Sequence, residues 1–124
     1  HFPLNSNIPS VVYTSPEVAW VGLREQDLID SKYTKGVFPL MANSRSRCNG
    51  QTDGFVKVLV DENDQLIGAH VVGENAGELI APLTVAITYG ASSKDLANVS
   101  HAHPTLHEAI KEACMAAHAK PIHW

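Results

Sequence analysis

The sequence predicts an α+β domain: an antiparallel β-sheet with helices packed on it. Two observations lead there. β-prone runs fill the chain as far as residue 72, and helical periodicity takes over after residue 75. In addition, residues 55–72 read as a hairpin with one wholly apolar face. With 124 residues, 44% hydrophobic and 18% charged, the chain has the size and composition of one domain with a real core.

Taken in order, residues 1–9 (HFPLNSNIP) read as an extended linker and residues 10–124 as the domain proper. Val11–Tyr13 and Val18–Val21 are strand-forming runs, separated by TSPE, where Pro16 enforces a break. LREQDLIDSK (23–32) has helix-forming residues and predicts a helix with a poor N-cap. TKGVFPLMA (34–42) predicts an edge strand, because Pro39 has no N–H for a ladder.

The hairpin comes next, Phe55–Val60 and Leu66–Val72 around the polar turn DEND, with Val56, Val58 and Val60 on one face. Asn75 with Glu78 three residues on has the form of a capping box, opening a helix whose stripe is Leu79, Ile80, Leu83 and Ile87 and which ends at Tyr89–Gly90. Pro82 lies inside it, at a cost of roughly 3 kcal/mol or a kink. Ser92 and Asp95 form a second capping box, for a short helix through Val99, and Pro104 suits the first turn of a third helix.

Several function classes fall away on composition. A net charge of −4 offers no basic footprint for nucleic acid or an anionic membrane. The longest uncharged run near the middle, LIAPLTVAITYGASS, is too short and too polar to span a bilayer. Cys48 and Cys114 form neither a CxxC nor a zinc spacing, and two lone cysteines point to a reducing compartment. The chain starts HFPLNSN, without a methionine and without a signal pattern, and is expected to be a processed or excised piece of a longer chain.

The chemistry-bearing stretch is SHAHPTLHEAIKEA (100–113). Its spacing leaves three readings open. His101, His103 and His107 could supply metal nitrogens, with Cys114 and His118 on roughly the same helical face as His107. Against this, an HExxH zinc grammar needs a histidine at 111, which is Lys. Alternatively His103, placed just before Pro104, is a general base and Glu108 reaches back to orient it; a carboxylate on one imidazole nitrogen fixes the tautomer and leaves the other free to take a proton. In the third reading Glu108 serves the positive end of its helix and the histidines are surface residues.

HAHPT with Glu108 resembles the C-terminal signature of the pyridine nucleotide–disulfide oxidoreductases, and its HxHPT form is most similar to the dihydrolipoamide dehydrogenase branch. Further stretches resemble that family in the same order: YTSPEVAWVG (13–22), NSR (43–45) and DGFVKVL (53–59) as middle strands, IGAHVVGENAGELI (67–80), and YGASSKDL (89–96). The resemblance implies the family's dimerisation (interface) domain. It also implies that His103 deprotonates dihydrolipoamide, that Glu108 orients His103, that the His103–Pro104 backbone approaches the FAD of the partner subunit, and that His101 lines the same interface.

The full-length protein would then use FAD and NAD, form a homodimer and act on dihydrolipoamide carried by 2-oxo acid dehydrogenase complexes. This chain would hold neither cofactor, since it has no GxGxxG fingerprint and no CxxxxC pair. By family architecture it is roughly one-quarter to one-third of the enzyme. No metal, nucleic acid or membrane is expected. KEACMA (111–116) resembles the eukaryotic enzymes, which implies the mitochondrial matrix, with a bacterial cytoplasm as the alternative. Other outcomes are a stand-alone, non-catalytic dimerising module, a domain of another thiol–disulfide flavoreductase, or a histidine-cluster metal protein. His107, Pro82 and the closing KPIHW depart from the family's pattern.

Overall fold

Side-chain alternation decides which way the central strands face. The computed structural model describes residues 7–119. Its strands β1 (Ser10–Val12), β2 (Glu17–Gly22), β3 (Tyr33–Pro39), β4 (Phe55–Asp61) and β5 (Leu66–Gly73) form one antiparallel sheet of order β1-β2-β5-β4-β3. In register across its middle, Val71 lies opposite Ala19 on one side and Val56 on the other, and Ala69 opposite Val21 and Val58. All six are fully buried, because two helices cover this face.

Helix α2 (Ala76–Thr88) packs on β2 and β5 with Leu79, Ile80 and Leu83. Helix α4 (Glu108–Ala119) packs on β3 and β4 with Ala109, Ile110 and Ala113. The short α3 (Ser93–Ala97) leans on α4. Each large apolar side chain withdrawn from water in this core contributes about 1.5–3 kcal/mol. The α+β class and the hairpin are as the sequence predicts.

Four local expectations need correction. Residues 23–32 do not form an α-helix; only Glu25–Leu28 make a 3₁₀ turn. The sheet competes for this segment: the Leu23 N–H bonds Ile67 O at 2.9 Å, Glu25 pairs with Lys57 at 2.7 Å and Lys35 at 3.2 Å, and Leu28 is the one buried residue of the turn. NSR is not in a strand. Asn43 caps a short helix α1 (Ser44–Asn49), its Oδ1 accepting the Ser46 N–H at 2.9 Å.

Asn75 stands at the N-cap of α2 in a left-handed conformation (φ 70°), and its side chain makes no cap bond. Glu17, from β2, accepts the Gly77 N–H at 3.0 Å instead. Finally, α4 starts at Glu108 rather than at Pro104.

Elsewhere the structure refines rather than overturns. β3 is an edge strand ending at Pro39, and residues 40–42 turn away with Leu40 buried. Helix α2 runs without interruption through Pro82. The Ser92–Asp95 capping box is present, at 3.0 Å in both directions, and its helix ends two residues sooner than expected. Most of the expected linker (residues 1–6) and the closing KPIHW (120–124) lie outside the described residues.

Candidate active site

Between α3 and α4 the chain runs from residue 98 to 107 without a regular element, and all three histidines of the signature stretch sit there. Its shape is set by Thr105. The Thr105 hydroxyl donates to Ala102 O at 2.8 Å, its N–H donates to Glu108 Oε1 at 3.0 Å, and its carbonyl accepts from the Asn43 side-chain amide at 3.0 Å. The His103–Pro104 peptide is cis.

Glu108 is the first residue of α4 and its side chain turns back over the preceding loop. Both its oxygens lie against His103 Nδ1, at 2.9 and 3.0 Å. The Thr105 N–H foremost, and the His103 imidazole second, hold the Glu108 carboxyl below its ordinary value, so at neutral pH it is a carboxylate and only accepts. His103 Nδ1 must therefore carry the proton. In the neutral ring Nε2 is then the bare nitrogen, on a side chain that is 67% exposed. Such an arrangement can take a proton from a bound acid and stabilise the imidazolium that results.

The other histidines play different parts. His101 Nδ1 is 3.0 Å from Val99 O, which orients that ring within its own loop. His107 is exposed and borders a hollow of about 400 Å³ with Arg45, Asn75 and Pro104. Cys114 is fully buried in the core, whereas His118 is exposed, so these two do not extend the cluster. Among the described residues no group of three or more His, Cys, Asp or Glu side chains could hold a metal ion.

Sequence reading paired His103 with Glu108 but passed over Thr105 and the amide of Asn43. The N-cap residue type of Asn43 was a signal for a helix start; its reach to a residue 62 positions away was not written locally.

Comparisons with known proteins agree on one relationship. A family model described as pyridine nucleotide-disulphide oxidoreductase, dimerisation domain, matches residues 8–114. The dihydrolipoamide dehydrogenase of Chaetomium thermophilum is 58% identical over 120 residues, covering 94% of this chain and 24% of that protein. The mitochondrial dihydrolipoyl dehydrogenase of Schizosaccharomyces pombe is 57% identical over 121 residues, with the same coverage. Among solved structures, LpdA from Mycobacterium tuberculosis superposes with a TM-score of 0.84 at 29% identity, over 89% of this chain and 25% of that one. The chain thus spans about a quarter of the length of the relatives it matches.

Proposed function

From the premise that this chain belongs to the pyridine nucleotide-disulphide oxidoreductase dimerisation-domain family, we propose that it is that domain of a dihydrolipoamide dehydrogenase and supplies the general base of the active site. The observation that carries this reading is the His103–Glu108 pair, with Nδ1 held by the carboxylate on a largely exposed side chain, which leaves Nε2 as the other ring nitrogen.

The substrate is a dithiol. A free thiol of pKa about 8.5 is mostly protonated at neutral pH and a weak nucleophile. His103 Nε2 takes the proton from one sulfur; the thiolate formed attacks a disulfide supplied by another part of the parent protein, breaking its S–S bond and releasing one sulfur as a thiolate. Glu108 holds the ring in the required tautomer and stabilises the imidazolium. A base in this role contributes typically 10²–10⁴-fold in rate. In the reverse direction His103 returns the proton.

The cofactors of the parent are FAD and a pyridine nucleotide. Bound FAD would supply the acceptor for the electron pair that leaves the dithiol by way of the disulfide, once the second substrate sulfur has displaced the mixed disulfide. By the family resemblance, the part of this chain is a contact from the exposed His103–Pro104 corner onto the flavin of the partner subunit in a homodimer, with His101 in the same interface. The dihydrolipoamide is carried on 2-oxo acid dehydrogenase complexes, and the mitochondrial names of the fission yeast, Dictyostelium discoideum and Caenorhabditis elegans relatives support the mitochondrial matrix.

His103→Gln in the parent enzyme is expected to lower flavin reduction by dihydrolipoamide by about 10²–10⁴-fold, with FAD content unchanged. Glu108→Gln is expected to lower it less, since the base remains. Stopped-flow absorbance reads both, and an unchanged rate in His103→Gln would overturn the assignment.

A further inference from the structure

Asn43 joins the site from far away in the chain. It is 3% exposed and both ends of its amide are engaged. Oδ1 caps α1 through the Ser46 N–H at 2.9 Å, and Nδ2 donates to Thr105 O at 3.0 Å across 62 residues. Its backbone is anchored as well, with the Asn43 N–H on Leu40 O at 2.9 Å and Arg47 N–H on Asn43 O at 3.1 Å. Leu40 in turn is fully buried, and its N–H bonds Gly54 O at 3.0 Å. Thr105 receives that anchor on its carbonyl and passes it on through its N–H to Glu108.

We infer that Asn43 is a positioning residue for the dyad: it ties down the carbonyl of Thr105 and so steadies that residue, whose N–H, in the preceding peptide, converges with His103 Nδ1 on one carboxylate. The inference rests on the reading of His103 as a base for its importance, but not for its geometry. His103 is mostly exposed, and its own surroundings do little to hold the ring. What holds the ring is Glu108, and what holds the Glu108 carboxylate is the N–H of Thr105, the residue whose carbonyl is tied to Asn43. A buried amide left without its partner is costly, so the Thr105 carbonyl and the Asn43 side chain constrain each other.

Two substitutions separate positioning from capping. Asn43→Asp and Asn43→Ser both keep an oxygen of a good N-cap residue type, and both lose the Nδ2 amide that reaches Thr105 O: a carboxylate has no donor, and the shorter serine hydroxyl ends one bond closer to the backbone. Nitrogen-15 spectra of histidine-labelled chain, recorded well below the melting temperature, read the tautomer of His103 directly. The parent chain is expected to show one tautomer, with the proton on Nδ1. Both variants are expected to show a mixture of the two, with the Glu108 carboxyl titrating closer to its ordinary range and with sheet and α2 resonances in place. Retention of the single tautomer in both would overturn the inference. So would a change in Asn43→Asp alone, which would assign the effect to the new charge. If Asn43→Asp does not fold, the neutral Asn43→Ser carries the test by itself. Because the readout needs no turnover, it stands or falls separately from the role of His103 in thiol chemistry.

Discussion

Gly36 in β3 lies directly beneath the backbone of Ala113 in α4. A Cβ at position 36 would overlap the Ala113 carbonyl oxygen and sit 2.5 Å from Ala117 N and 2.8 Å from Ala117 Cβ. The helix that presents Glu108 therefore rests on a strand backbone, with no side chain between them. The glycine is required here for space.

Gly36→Ala should push α4 off the sheet. Backbone atoms cannot swing aside, so the cost falls in the overpacking range of about 1–3 kcal/mol or above it. For a domain of this size that corresponds to a melting temperature lower by roughly 4–12 °C. Thermal unfolding followed by circular dichroism checks it; an unchanged midpoint would show that the helix does not sit so close.

Glu25 should control the acid limb of stability. Partial burial raises its carboxyl, but hydrogen bonds from Lys57 and Lys35 outweigh that and bring it from 4.5 to about 2. A folded-state value below the unfolded one means that the stabilisation is complete above pH 4.5 and is lost as pH falls towards 2. With the carboxylate side chain 30% exposed, solvent screening limits the contribution to about 1 kcal/mol. Glu25→Gln is expected to flatten the stability profile between pH 4.5 and 2. Denaturant titrations at a series of pH values measure this, and an identical acid limb in the variant would contradict it.

The two cysteines should differ sharply in reactivity. Burial first, and the charge of Asp64 second, push the Cys114 thiol up to about 12, whereas Cys48 is exposed on α1. The thiolate is the reactive form. At pH 8 a thiol reagent is expected to label Cys48 promptly and Cys114 only after unfolding. Prompt labelling of both would mean that α4 opens readily from the sheet.

Local pattern carried much of the architecture. The alternation of Val56, Val58 and Val60 with Phe55, Lys57 and Leu59 made the hairpin and its buried face legible, because strand side chains alternate whatever lies across from them. The stripe of Leu79, Ile80, Leu83 and Ile87 did the same for α2. Ser92 and Asp95 formed the expected capping box, since both partners lie within one turn. Where the competing partner was distant, the local signal misled. Residues 23–32 have helical composition, yet Glu25 is drawn to Lys35 and Lys57 on two strands.

The same division runs through the site. By itself the sequence determined that a histidine, a proline and a carboxylate would stand together where a helix begins, because His103 and Glu108 are five residues apart and their pairing needs only the local chain. Tertiary structure decided the rest. It moved the start of α4 from Pro104 to Glu108, it gave the cap of α2 to Glu17 in place of the Asn75 side chain, and it brought Asn43 to Thr105. Each of these rests on a polar group whose partner is some 60 residues away or on a helix seated on a distant strand. A buried donor or acceptor must be paired, but which partner reaches it is settled only when the sheet and helices have closed around it.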